Sequence, residues 1–172
     1  MVHGEATGFM ATEGVHWWQK FGTVGQLAQA VVTALGVFAA LFQINMIRDA
    51  NQASSARQIY LGYLEKQFDY PRFAAPDYER IKQSSVEEQI LYESFVAYML
   101  YSCEEALVAF SREPNWRHAC ESGVKVHLPF LCEHLAENPR YLDTFADHTV
   151  HFVRTMMSRE GFVVPECKVP GS

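Results

Sequence analysis

Between Phe21 and Ile47 the chain carries no charged residue, and Arg48 and Asp49 close the run. Few structures accommodate such a segment. A bilayer core about 30 Å thick is crossed by about 20 apolar residues in a helix, and Val24–Ile44 supplies that length. The polar side chains within it are Gln26, Gln29 and Gln43, with Asn45 just beyond. Gln26, Gln43 and Asn45 lie near the ends, where the interface hydrates them. Gln29 stands about one turn inside and needs a partner or a snorkelled position. The run therefore reads as one transmembrane helix over 23–47. Its competitor is a helix apolar on all sides that forms the core of a soluble bundle.

The segment is also rich in small residues, and Ala30 with Ala34 and Gly36 with Ala40 form small-xxx-small pairs. Small side chains let helices approach closely in lipid, where packing replaces the hydrophobic effect. Gln29, Gly36 and Ala40 are thus candidate contacts with a partner helix, although glycine and alanine are also simply common in spans. Just before the run, residues 15–22 hold Trp17 and Trp18. An indole is part apolar and part hydrogen-bond donor, so this pair suits an interfacial belt, or alternatively a docking patch. Residues 1–14 show no apolar period and read as a flexible N-terminus. The run lies too far in, with no small-residue cleavage site after it, for an ordinary secretory signal, and reads as an uncleaved anchor.

Basic residues near the run set the expected orientation. Lys20 stands before it; Arg48, Arg57 and Lys66 follow it. Lysine and arginine favour the cytoplasmic side. The expectation is a single-pass protein of the inner (plasma) membrane, N-terminus outside and the large C-terminal part, 48–162, in the cytoplasm. Whole-chain composition agrees with one span: the mean hydropathy is close to zero. A net charge of −6 argues against a nucleic-acid surface. The four cysteines, Cys103, Cys120, Cys132 and Cys167, form no CxxC pair, and reduced thiols in a cytosolic domain are the simpler expectation.

Downstream, every element reads as helix, so the predicted fold class is all-α: an N-terminal transmembrane helix continuing into a small cytoplasmic helical bundle. No glycine or proline interrupts Val37–Leu61. One helix from Val24 to Phe68 would be roughly 65 Å long at about 1.5 Å per residue, with Ile59, Tyr60, Tyr63, Leu64 and Phe68 as its second apolar stripe. Pro71 and Pro76 stop it, with a turn at Phe73-Ala74-Ala75 and a short helix from Pro76 to Ile81. Ser85-Val86-Glu87-Glu88 is a capping box. The helix it starts, to about Phe110, carries Tyr92, Phe95, Met99, Cys103, Ala106 and Phe110 on one face, broadened by Ile90, Leu91, Val96, Leu100 and Leu107. Pro114 opens another helix, which Gly123 ends or weakens. Pro129 introduces a kink. Asn138-Pro139 reads as cap and first position of the last helix, striped by Leu142, Phe145, Thr149, Phe152, Val153 and Met156, with Gly161 just past its end. The tail, 163–172, is a strap or disordered.

Chemistry-bearing residues are few. Thiolates and imidazoles are the ligands zinc prefers, which makes His118, Cys120, His148 and His151 the candidate metal set. Their spacing matches no zinc module: His118 and Cys120 fall on different helix faces, and His148 with His151 lacks a third ligand in register. Glu104-Glu105 is followed by no Glu-x-x-His, which di-iron bundles use, and reads as a solvated or N-terminally paired face. No glycine-rich phosphate loop is present. The sequence therefore assigns no catalytic residue and no cofactor.

One layout-level resemblance rests on Tyr70-Pro71-Arg72-Phe73, Tyr92-Glu93-Ser94-Phe95, Pro114-Asn115-Trp116 and Tyr141-Leu142-Asp143-Thr144-Phe145. The chain resembles the small single-span bacterial membrane proteins of uncharacterised function that carry a compact helical cytoplasmic domain. The resemblance implies bacterial membrane attachment and no activity. Three function classes stay open. The favoured one is a non-catalytic accessory or scaffold subunit that binds the bilayer, and other membrane-protein subunits or copies of itself, and no nucleic acid. The second is a membrane-anchored sensor or regulator, such as a defence or toxin–antitoxin component. The third is a His/Cys metal- or cofactor-binding protein.

Overall fold

The computed structural model describes residues 13–164 and Cys167, with backbone alone at 13–24 and 27. It divides into two compact units, Met1–Arg48 and Asp49–Ser172. All described elements are helical: α1 (Glu13–Asp69), α2 (Pro71–Ala74), α3 (Tyr78–Lys82), α4 (Val86–Ala109), α5 (Pro114–Lys125), α6 (Leu128–Glu137), a 3₁₀ turn (Tyr141–Thr144) and α7 (Asp147–Arg159).

In the first unit α1 is long and apolar enough to cross a membrane, and none of its most apolar window is buried. Its large side chains from Val31 to Ile47 are between 56% and 71% exposed. The competing picture of a core helix, buried all round by this chain, is not what the fold shows. The helix begins earlier than its apolar run, at Glu13. The expected flexible N-terminus lies outside the described residues up to position 12.

In the second unit the last turns of α1 join the core. Ala56 and Tyr63 are buried, with Ala53, Tyr60 and Leu64 packed beside them. Aromatic rings form a connected group within the core. Phe73, fully buried, meets Tyr92 at 5.3 Å and Phe95 at 5.7 Å between ring centroids, and Tyr92 meets Phe130 at 5.2 Å. These edge-on contacts add about 0.5–1.5 kcal/mol each to the burial itself. Phe110 stacks on Trp116 at 4.5 Å, which fixes the turn from α4 into α5. Gly62 on α1 lies under the end of the Tyr98 side chain of α4: a Cβ there would lie 2.5 Å from the Tyr98 hydroxyl.

Side-chain caps start two of the helices, α3 and α4. Ser85 accepts from the Glu88 amide at 3.3 Å, as expected. The reciprocal half of that box is absent, because the Glu88 carboxylate takes the Arg72 guanidinium at 2.8 Å instead. Asp77, not Pro76, caps α3, accepting from the Arg80 amide at 3.2 Å. The turn expected at Phe73-Ala74-Ala75 is in part helical: Phe73 and Ala74 complete a single helical turn that starts at Pro71. Gly123 does not end α5, which runs on to Lys125. Gly161, at φ 81°, closes α7. Its amide bonds the Ser158 carbonyl at 3.2 Å and the Phe162 amide bonds that of Met157 at 2.9 Å, a Schellman pair.

Two expectations need correction. Asn138-Pro139 does not begin the last helix: Asn138 closes α6, and α7 starts at Asp147 with Ala146 at its cap. Ala146 has no capping side chain, and its amide donates to the Glu104 carboxylate at 2.6 Å. The cap thus comes from α4, 42 residues away. Nor are the cysteines reduced. Cys103 is bonded to Cys120 and Cys132 to Cys167, with Cα separations of 5.6 and 5.4 Å, and no free cysteine remains. The second bond ties Cys167 to α6.

Candidate functional site

The metal set anticipated from the sequence is dispersed. His118 is 87% exposed and lies 3.8 Å from the Glu121 carboxylate. Cys120 has its sulfur committed to Cys103 and so offers no thiolate to a metal or a substrate. Cys132 is likewise bonded. His148 reaches the Glu104 carbonyl at 3.5 Å, and His151 faces outward. Among the described residues no three His, Cys, Asp or Glu side chains stand close enough together to hold a metal. Glu104 is accounted for as the cap of α7. Of the candidate partner contacts on α1, Gln29, Gly36 and Ala40 are exposed, and the space beside Gly36 is open. The side chains of Trp17 and Trp18 lie outside the described residues.

What the structure does bring together is a polar cleft of about 370 Å³ between α3, α4 and α6. Its edge is one carboxylate serving both ends of α3: Glu133 on α6 accepts from the Tyr78 hydroxyl and from the Lys82 ammonium, both at 3.0 Å. Burial, and then the bond to Glu133, push the Tyr78 hydroxyl pKa up, while the bond to Glu133 raises that of Lys82. On the far side His134 Nε2 lies 3.4 Å from Glu93, outside hydrogen-bonding geometry. Beneath the cleft Tyr92 pairs with His127 Nδ1 at 2.8 Å. His127 is fully buried, its Nε2 has no partner among the described residues, and burial lowers its pKa to about 4. The Glu133 contacts make this edge of the cleft an ion-paired clamp tying α3 to α6.

A second, apolar groove of about 290 Å³ runs between α1 and α4, lined by Lys66, Tyr70, Leu91, Ser94, Phe95 and Tyr98. Several large apolar side chains on these two helices reach solvent: Leu61 at 62%, Phe68 at 86% and Ile90 at 58%. Ile90 and Leu91 were expected to widen the core face of α4, but they belong to this outer surface. Periodicity could not separate the two, because both sides of α4 are apolar; what decides is that the neighbours of α4 cover only one. Leu61 and Phe68, seven residues apart, lie on one face of α1. Neither His127 nor the Glu133 clamp had a signal in the sequence, since each depends on partners tens of residues away. No family model, no curated protein and no solved structure matches the chain.

Proposed function

We propose that this chain is a membrane-anchored, non-catalytic interaction module: α1 holds it in the bilayer, and its helical domain binds membrane-protein partners or further copies of itself. One observation carries the reading. The side chains of Val31–Ile47 leave a long apolar surface uncovered, and in water a surface of that size is an aggregation hazard that lipid or a partner helix removes. The exposed apolar residues on α1 and α4 extend the same logic to the second unit, where these two helices flank an apolar groove.

The test is capture of the full tagged chain from membranes solubilised in mild detergent. A stoichiometric complex with one or more integral membrane proteins, weakened by Phe68→Glu or Leu91→Glu, supports the subunit reading. A lone oligomer of this chain leaves self-association and counts against the accessory-subunit part of the reading, in favour of a sensor in which α1 relays a signal as one unbroken helix. Release of the protein by a carbonate wash removes the anchor and the proposal together.

A further inference from the structure

We infer that the helical domain works on the oxidising side of the membrane, with the N-terminal end of α1 on the reducing side, the reverse of what flanking charge suggests. This rests on the anchored reading of α1. The observation behind it is that every cysteine of the chain is paired, all within the unit Asp49–Ser172. Cys103 on α4 meets Cys120 on α5, and Cys132 on α6 meets Cys167 beyond α7, across sequence separations of 17 and 35 residues. Both Cα separations fall near the middle of the range that disulfides occupy. Two independent long-range pairings that use up all four cysteines are the signature of an exported domain, because cytosolic thiols are kept reduced. Cys103, Cys120 and Cys132 are buried, which suits structural bonds rather than exchanging ones.

The charge bias is small. Of the three basic residues after the apolar run, Arg57 lies over the Phe110 ring at 5.2 Å, and Lys66 pairs with Asp69 at 2.9 Å. Both have roles in the folded domain. The bias is Arg48, Arg57 and Lys66 against Lys20, a margin of two residues that four paired cysteines outweigh. Forming each bond releases two protons and two electrons from two thiols. A disulfide-donating oxidoreductase of the exporting compartment takes up the electrons and is itself reduced to a dithiol. The partner surface on α1 and α4 then faces exported or membrane-embedded partners, not cytosolic ones.

The experiment uses the full chain with a C-terminal tag, expressed in a bacterium with a periplasm. Cells are quenched in acid, denatured, and treated with a polyethylene-glycol maleimide with and without prior reduction. Protease is added to intact spheroplasts in parallel. The expected result is no adduct without reductant, four after reduction, and loss of the tag to external protease. Adducts on most of the unreduced protein, or a tag protected from protease, overturn the orientation. A carbonate wash of the same membranes separates the two failures: protein retained with free thiols sinks the orientation alone, whereas released protein sinks the anchor.

Discussion

His127 makes the domain less stable in mild acid, by an amount the structure sets. The imidazole is fully buried beside Tyr92, and Phe95 lies 5.8 Å from it, so it must stay neutral while the domain is folded. Burial lowers its pKa from 6.5 to about 4. The unfolded chain therefore binds a proton between these values that the folded chain does not. Unfolding free energy rises with pH wherever the unfolded state holds more protons. Stability is then complete above about pH 6.5, falls as pH drops through the window, and levels off near pH 4. At about 1.4 kcal/mol per unit the loss across the window is about 3 kcal/mol, a large share of the 5–15 kcal/mol that a domain typically has.

The assay is urea unfolding of the detergent-solubilised, oxidised protein at pH 7.5, 6.5, 5.5 and 4.5, compared with His127→Gln. Glutamine does not titrate, and its amide keeps a polar group near the Tyr92 hydroxyl. The variant should be less stable at pH 7.5 but lose less on acidification. The difference between the two curves should narrow by about 3 kcal/mol, on the order of 1–2 M urea at a typical slope. Carboxylates contribute to both proteins alike and cancel in the difference. Parallel curves from pH 6.5 to 4.5 would refute the reasoning, since they would mean that His127 is charged in the fold or solvated in it.

Three further outcomes follow from the packing. Glu104→Ala removes the acceptor for the Ala146 amide and should cost about 1 kcal/mol in urea unfolding, with Glu104→Gln costing less; no change would mean the bond is not formed in solution. Removing Cys132–Cys167 as a pair of alanines should cost about 4 kcal/mol and removing Cys103–Cys120 about 3 kcal/mol, from their 35- and 17-residue separations. The reverse order would show that loop entropy is not what these bonds supply. Gly62→Val pushes a side chain into the Tyr98 ring and should cost about 1–3 kcal/mol. Tyr98→Ala in the same chain should recover part of it, and additive losses in that double-mutant cycle would disprove the contact.

The features visible in the sequence are those encoded within a few residues. The uncharged run of α1, Ser85 at the start of α4 and Gly161 past α7 each announce themselves through neighbours one to four positions away. So does the stripe Tyr92, Phe95, Met99, Cys103, Ala106 and Phe110, which is buried as its spacing predicts. The misreadings share one cause. Asn138-Pro139 carries a plausible helix-start pattern, yet α7 begins later because its cap is supplied by Glu104 from another helix. Glu88 matches the capping box but goes to Arg72. Ile90 and Leu91 extend an apolar face that no neighbour covers.

From its own residues, then, the chain settles that it is helical, where its longest apolar surface lies and which side chains can line a core. Those properties depend on backbone hydrogen bonds and side-chain periods that repeat every few residues. Tertiary packing alone decides which cysteines meet, which glutamate caps which helix, and where a histidine loses its solvent. Pairing, capping and desolvation are set by distances in space between residues far apart in the chain, and the chain order does not record those distances.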